Sequence, residues 1–61
     1  MKIRLADRGE TIEVYENETL YHILMRVHKN DYFKYLGAKV NNKLKGLCSK
    51  DFKDNDIIEF I

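Results

Sequence analysis

Apolar and polar residues alternate over Lys2-Ile3-Arg4-Leu5-Ala6 and again over Thr11-Ile12-Glu13-Val14-Tyr15. A period of two sends successive side chains to opposite faces, so each stretch reads as a half-buried strand. Asp7-Arg8-Gly9-Glu10 lies between them as a turn, with Gly9 free to take positive φ. Pairing the strands antiparallel with Ala6 opposite Thr11 sets Ile3 against Val14 and Leu5 against Ile12 on one face. It sets Arg4 against Glu13 on the other. The period then changes. Leu20, Ile23, Leu24 and Val27 fall at i, i+3, i+4 and i+7, the apolar stripe of a helix over residues 20–29. Thr19 is placed to cap it, with Asn17 the rival cap. Glu16 and Glu18 favour its positive start, and Arg26, His28 and Lys29 its negative end, while Asn30-Asp31 stops it.

After the helix, residues 31–37 are irregular and aromatic. Ala38–Val40 and Lys43–Leu47 read as short strands joined by Asn41-Asn42. Asparagine tolerates the left-handed backbone that a two-residue hairpin loop requires. Cys48–Lys53 reads as a loop with one helical turn that tucks Phe52 inward, and Asp54-Asn55-Asp56 turns the chain into a last strand, Ile57–Ile61. The order ββ-α-ββ-β predicts an α+β fold, a mixed sheet of about five strands with one helix across one face. The expected core is Ile3, Leu5, Ile12, Val14, Leu20, Ile23, Leu24, Val27, Leu36, Val40, Leu44, Leu47, Phe52, Ile58 and Phe60.

Composition narrows the setting. Sixty-one residues make one domain with a small core. Cys48 is the only cysteine, so no internal disulfide braces it, which fits a reducing compartment. No apolar run approaches the roughly 20 residues of a membrane span. The charged start MKIRLADRGE is unlike a signal peptide, so a cytoplasmic, soluble protein without a membrane partner is expected. The net charge of +1 hides an uneven layout: −2 over residues 1–25, +6 over 26–53 and −3 over 54–61. If the central lysines share a face, that face meets phosphate or an acidic partner. Dispersed, they keep the domain soluble and protect sheet edges.

No catalytic, metal or cofactor site is expected. His22 and His28 are six residues apart, which places them about 240° apart around a helix, too far for one metal. Cys48 has no histidine near it in sequence and reads as a semi-buried loop thiol. Asp51-Phe52-Lys53-Asp54-Asn55-Asp56 lacks the sixth-position glycine of a calcium loop and reads as turn chemistry. Gly9, Gly37 and Gly46 are scattered, and no phosphate loop is present. Tyr32, Phe33 and Tyr35 stand among Lys29, Lys34 and Lys39, an interleaving that suits stacking on bases and neutralising phosphates. The bland reading has Phe33 and one tyrosine closing the sheet edge.

The second half, Ala38-Lys39-Val40-Asn41-Asn42-Lys43-Leu44, then Leu47, then Lys53-Asp54-Asn55-Asp56-Ile57-Ile58-Glu59-Phe60, resembles a TGS domain. That family has the β-grasp, ubiquitin-like fold and is named for threonyl-tRNA synthetases, certain GTPases and SpoT/RelA enzymes. Thr19, opening the helix after an acidic turn, also fits. Ala6-Asp7-Arg8-Gly9 departs from the Leu-Pro-Asp-Gly of the synthetase members. Val40-Asn41-Asn42 and Ile58-Glu59-Phe60 look more like the TGS domain that opens bacterial uridine-kinase-like nucleoside kinases. The resemblance implies a non-catalytic regulatory module, N-terminal in a longer nucleotide- or RNA-handling protein, with any phosphoryl transfer in another domain. RNA, a nucleotide or the catalytic domain of the same protein is the expected partner, and DNA is not. The binding candidates are Lys34, Tyr35, Lys39, Lys43 and Lys45. A second reading is a protein–protein adaptor whose outer sheet face around Tyr15, Ile57 and Ile61 docks on the catalytic domain of its own protein. A cut-down sulfur carrier is the third, disfavoured because Glu59-Phe60-Ile61 lacks the Gly-Gly such carriers activate.

Overall fold

A computed structural model describes residues 1–61. Strands β1 (Lys2–Leu5) and β2 (Glu10–Glu13) precede helix α1 (Leu20–Val27) and a 3-10 turn at Tyr32–Lys34. Strands β3 (Ala38–Val40), β4 (Lys43–Lys45) and β5 (Ile57–Phe60) follow. The five strands form one sheet in the order β2-β1-β5-β3-β4. β1 and β5 pair parallel, and the other neighbours pair antiparallel. This is the expected mixed sheet with one helix.

The helix starts where the sequence places its cap. Thr19 accepts a hydrogen bond from the His22 amide at 3.2 Å, and the His22 ring Nδ1 accepts one from the Thr19 amide. Leu20, Ile23 and Leu24 are buried, and with Ile3, Leu5, Val14 and Ile58 they make up the fully enclosed centre. Phe52 is buried too, but without the expected helical turn: residues 49–53 have no regular secondary structure, and the Phe52 amide closes a tight turn on the Lys50 carbonyl at 2.9 Å. The Asn41-Asn42 loop is as expected, with φ of 51° and 71°.

Several expectations need correction. The first hairpin is shifted by two residues: Ile3 faces Ile12, Arg4 faces Thr11 and Leu5 faces Glu10. Gly9, at φ 64°, folds back so that its amide reaches the Leu5 carbonyl at 2.8 Å, and β2 therefore starts at Glu10. Glu13 pairs not with Arg4 but with the N-terminal ammonium, 2.8 Å away. Their hydrogen bond raises the ammonium pKa above its ordinary value and lowers that of Glu13 below its own. Leu36 and Leu44, placed in the expected core, are 90% and 68% exposed, while Ala38 is buried instead. Ile12, Val27 and Leu47 pack against the core without being enclosed by it. The Cys48 thiol is exposed rather than semi-buried.

Asn41 does more than turn the chain. Its Oδ1 accepts from the Ile57 amide at 3.0 Å and its Nδ2 donates to Asp56 at 2.9 Å, tying the hairpin to the start of β5. Asn42 makes no such bond. Asn42→Gly is therefore expected to hold or raise stability by up to about 1 kcal/mol, since glycine enters left-handed backbone freely. Asn41→Gly is expected to lower it by about 1–2 kcal/mol through two lost bonds. Urea melts of both variants check this; equal effects would mean that the side-chain bonds contribute nothing.

Candidate functional site

One helix covers one face of the sheet, and the alternation along each strand decides what the other face shows. On β3, Ala38 and Val40 point into the core, so Lys39 points outward. On β5, Ile58 and Phe60 point in, leaving Ile57, Glu59 and Ile61 outside. Pairing across β3 and β4 sets Lys39 opposite Leu44, and Val40 opposite Lys43. Leu44 thus shares the outer face with Lys39, whereas Lys43 and Lys45 lie on the helix side of the sheet.

The expected basic surface is therefore divided. Lys39 stands on the outer face opposite Glu59. Lys43, Lys45 and Lys53 line a shallow hollow of about 290 Å³ on the other side, together with Val40, Asn41, Asp51 and Asp56. Lys45 is held by Asp51 at 2.8 Å, and Asp56 by Asn41 and the Lys53 amide. Tyr35 is no open stacking platform: its ring packs 4.7 Å from that of His28 and 6.3 Å from that of Phe60. Lys34 ends the 3-10 turn and is exposed, as is Phe33, which does not close the sheet edge.

The adaptor candidates are also divided. Ile57 and Ile61 are on the outer face, but Tyr15 lies beyond the end of β2, at the opposite end of the sheet from Ile61. Leu36 and Leu44, two apolar residues of the expected core, gather around Ile61 instead. Leu36, Leu44 and Ile61 wall a groove of about 490 Å³ floored by Gly37, Lys45 and Gly46. A Cβ at residue 37 would sit 3.2 Å from the Lys45 carbonyl, which would have to shift by a few tenths of an ångström to admit it. Gly37 and Ile61 exchange both backbone bonds, at 3.1 and 3.0 Å, which fixes the Ile61 wall against β3. Counting two residues through the Asn41-Asn42 loop was the signal for Leu44, because that count makes Val40 and Lys43 partners and turns Leu44 outward.

His28 caps the helix and is enclosed between carboxylates, with Nδ1 3.2 Å from Asp31 and Nε2 3.3 Å from Asp7. The Asp7 approach lacks hydrogen-bond alignment, so Nε2 is a buried atom without a bonded partner. These groups join the first turn, the helix end and the loop after it, a packing role. No group of His, Cys, Asp and Glu side chains is arranged to hold a metal ion. No helix is long and apolar enough to cross a membrane.

The family model for the TGS domain matches residues 1–61, the full length of the chain. No curated protein and no solved structure matches it.

The Lys45 bond holds the Asp51 carboxyl below the usual carboxylate range. A carboxylate so lowered stabilises the fold at neutral pH and loses that contribution as pH falls through its folded-state pKa. In Lys45→Met, Asp51 is expected to titrate back toward the ordinary range. The melting difference between the two proteins should then be present near neutrality and vanish at low pH. A side-chain carboxyl NMR titration with melts at each pH checks both; an unmoved Asp51 would show that Lys45 does not hold it.

Proposed function

The chain belongs to the TGS domain family, and we propose that it works as a docking module that binds protein through the groove end of its outer sheet face. Domains of this family are non-catalytic in themselves and are regulatory, nucleic-acid-binding or protein-binding modules of larger proteins. The observation that favours protein is the groove: Leu36, Leu44 and Ile61, at 90%, 68% and 44% exposure, remain in water although the core is complete without them. Apolar side chains grouped on an otherwise charged surface mark a contact site. Lys39 and Glu59 beside the groove supply a polar rim. Against RNA stands the split of Lys39 from Lys43 and Lys45, together with the packing of Tyr35.

The likeness of Val40-Asn41-Asn42 and Ile58-Glu59-Phe60 to the TGS domain of uridine-kinase-like enzymes supports a nucleoside kinase as the protein that carries it. On that reading the groove docks on the catalytic domain of the same protein. Docking then changes how that domain opens or binds nucleotide, and phosphoryl transfer stays outside residues 1–61.

The test is a paired NMR titration of the labelled domain. One arm adds the carrier protein without residues 1–61, and the other adds a mixed-sequence RNA. Resonances of Leu36, Leu44 and Ile61 are expected to move in the first arm. Leu44→Asp should weaken that binding at least about tenfold, equal to about 1.4 kcal/mol. Its melt should move by no more than about 0.5 kcal/mol, since the residue is exposed. Shifts confined to the RNA arm, centred on Lys39, Lys43 and Lys45 and removed by their change to glutamate, would overturn the protein reading in favour of phosphate binding.

A further inference from the structure

We propose that the free edge of β4 accepts an extended segment of a partner protein as an added strand, with apolar residues on the groove side and carboxylates on the lysine side. The proposal rests on the docking role above and specifies how the groove is filled.

The open backbone follows from the bonding pattern. On β3, Gly37 and Asn41 bond toward β5, through Ile61 and Ile57. Antiparallel ladders alternate, so the Lys39 backbone also points to β5, and that of Ala38 and Val40 to β4. Their partners, Lys45 and Lys43, are thereby satisfied, while Leu44 stands in a non-bonded pair with Lys39. The Leu44 N–H and C=O consequently point away from the sheet. One step further, the Gly46 amide finds no backbone acceptor, while its carbonyl takes the Ser49 amide at 3.1 Å. Leu44 and Gly46 together offer two donors and an acceptor along one line, the template an added strand needs.

The opposite edge is not equivalent. Met1 and Val14 exchange bonds at 3.1 and 2.7 Å, so by the same alternation Glu13 turns its backbone outward from β2. There the Arg26 guanidinium donates to the Glu13 carbonyl at 2.7 Å and takes up one acceptor of that edge, while the Thr11 groups stay open. Glu18, 3.2 Å from Arg26, holds the guanidinium in place. β4 has no such cover.

Side chains then define the occupant. An added strand alternates faces with period two. A residue beside Leu44 lies on the outer face, at the groove between Leu44, Leu36 and Ile61. Its neighbours on either side fall on the other face, next to Lys43 and Lys45. Lys43 has no ion-pair partner, and Lys45 has only the exposed Asp51. The matching pattern is acid-apolar-acid. A second copy of this chain is a poor occupant, because pairing through β4 would bring Lys43 and Lys45 against themselves.

The experiment follows amide hydrogen exchange in the labelled chain with the synthetic peptide acetyl-Glu-Val-Glu-Val-Glu-amide. Its lysine counterpart, acetyl-Lys-Val-Lys-Val-Lys-amide, is the control. At saturation the acidic peptide should slow exchange of Leu44 and Gly46 at least about tenfold and leave Thr11 on β2 unchanged. Changing Lys43 and Lys45 to glutamate should reverse the preference between the peptides with the fold intact. Shifts of the Leu36, Leu44 and Ile61 methyls without protection of the Leu44 and Gly46 amides would overturn strand addition and leave outer-face docking standing. Equal protection by both peptides, protection by RNA alone, or no response to the acidic peptide would overturn the inference. The docking role itself is judged separately, by the carrier-protein titration of Leu44→Asp.

Discussion

The backbone bonds between β1 and β5 set the plan of this molecule. Arg4 donates to the Asp56 carbonyl and Ala6 to that of Ile58, each at 2.9 Å. The two ends of the chain thereby lie parallel at the centre of the sheet. Parallel neighbours cannot be joined by a hairpin, so the intervening chain must cross over one face, and α1 is the cover it carries. Ile3, Leu5 and Ile58, from the two central strands, meet Leu20, Ile23 and Leu24 beneath that helix. The turn before β5 strengthens the join: Asp54 accepts from the Lys2 amide and Asn55 donates to the Lys2 carbonyl, both at 2.7 Å. The two hairpins are outworks of this pair, and they leave β2 and β4 as edges.

One helix of eight residues cannot cover both faces. The outer face must remain in water, and most of it is filled suitably: Lys2, Arg4, Thr11, Glu13, Lys39 and Glu59 are polar. Apart from Ile57, the departures cluster at one end, around Gly37, where a Cβ would crowd the Lys45 carbonyl. The two edges differ in the same sense. Arg26 occupies one carbonyl of the β2 edge, while the β4 edge has no such contact and lies beside the apolar groove. An unguarded edge is an aggregation hazard, and Lys43 and Lys45 repel copies of themselves there.

Local chemistry was legible where one residue decides the outcome. Thr19 announces the helix, two asparagines announce a left-handed loop, and period-two alternation announces β1 and β2. The order of elements followed from these. What was not legible depended on how turns set register. Gly9 closes on Leu5 by one backbone bond, and that bond moved every partner in the first hairpin by two residues. A shift of two preserves the faces, so the core survived while the Arg4–Glu13 pair did not. Leu36 and Leu44 lie outside the core for a different reason: hydrophobicity does not dictate burial, since apolar atoms also make up much of any protein surface. Equating hydrophobicity with burial hides two walls of the candidate site, Leu36 and Leu44, while the third, Ile61, is among the expected interaction-face residues.

Charge invites a phosphate reading of the basic middle, and geometry restrains it. A nucleic-acid backbone is followed by cations along one continuous track. Here the sheet stands between Lys39 and the pair Lys43 and Lys45, and Lys45 is already engaged by Asp51. A strand laid against β4 has no such difficulty, because its own side chains alternate across the sheet as those of β4 do. Its apolar residues reach the groove while its carboxylates reach the lysines on the other side. The separation that defeats one kind of partner is the pattern the other kind presents by the geometry of an extended chain.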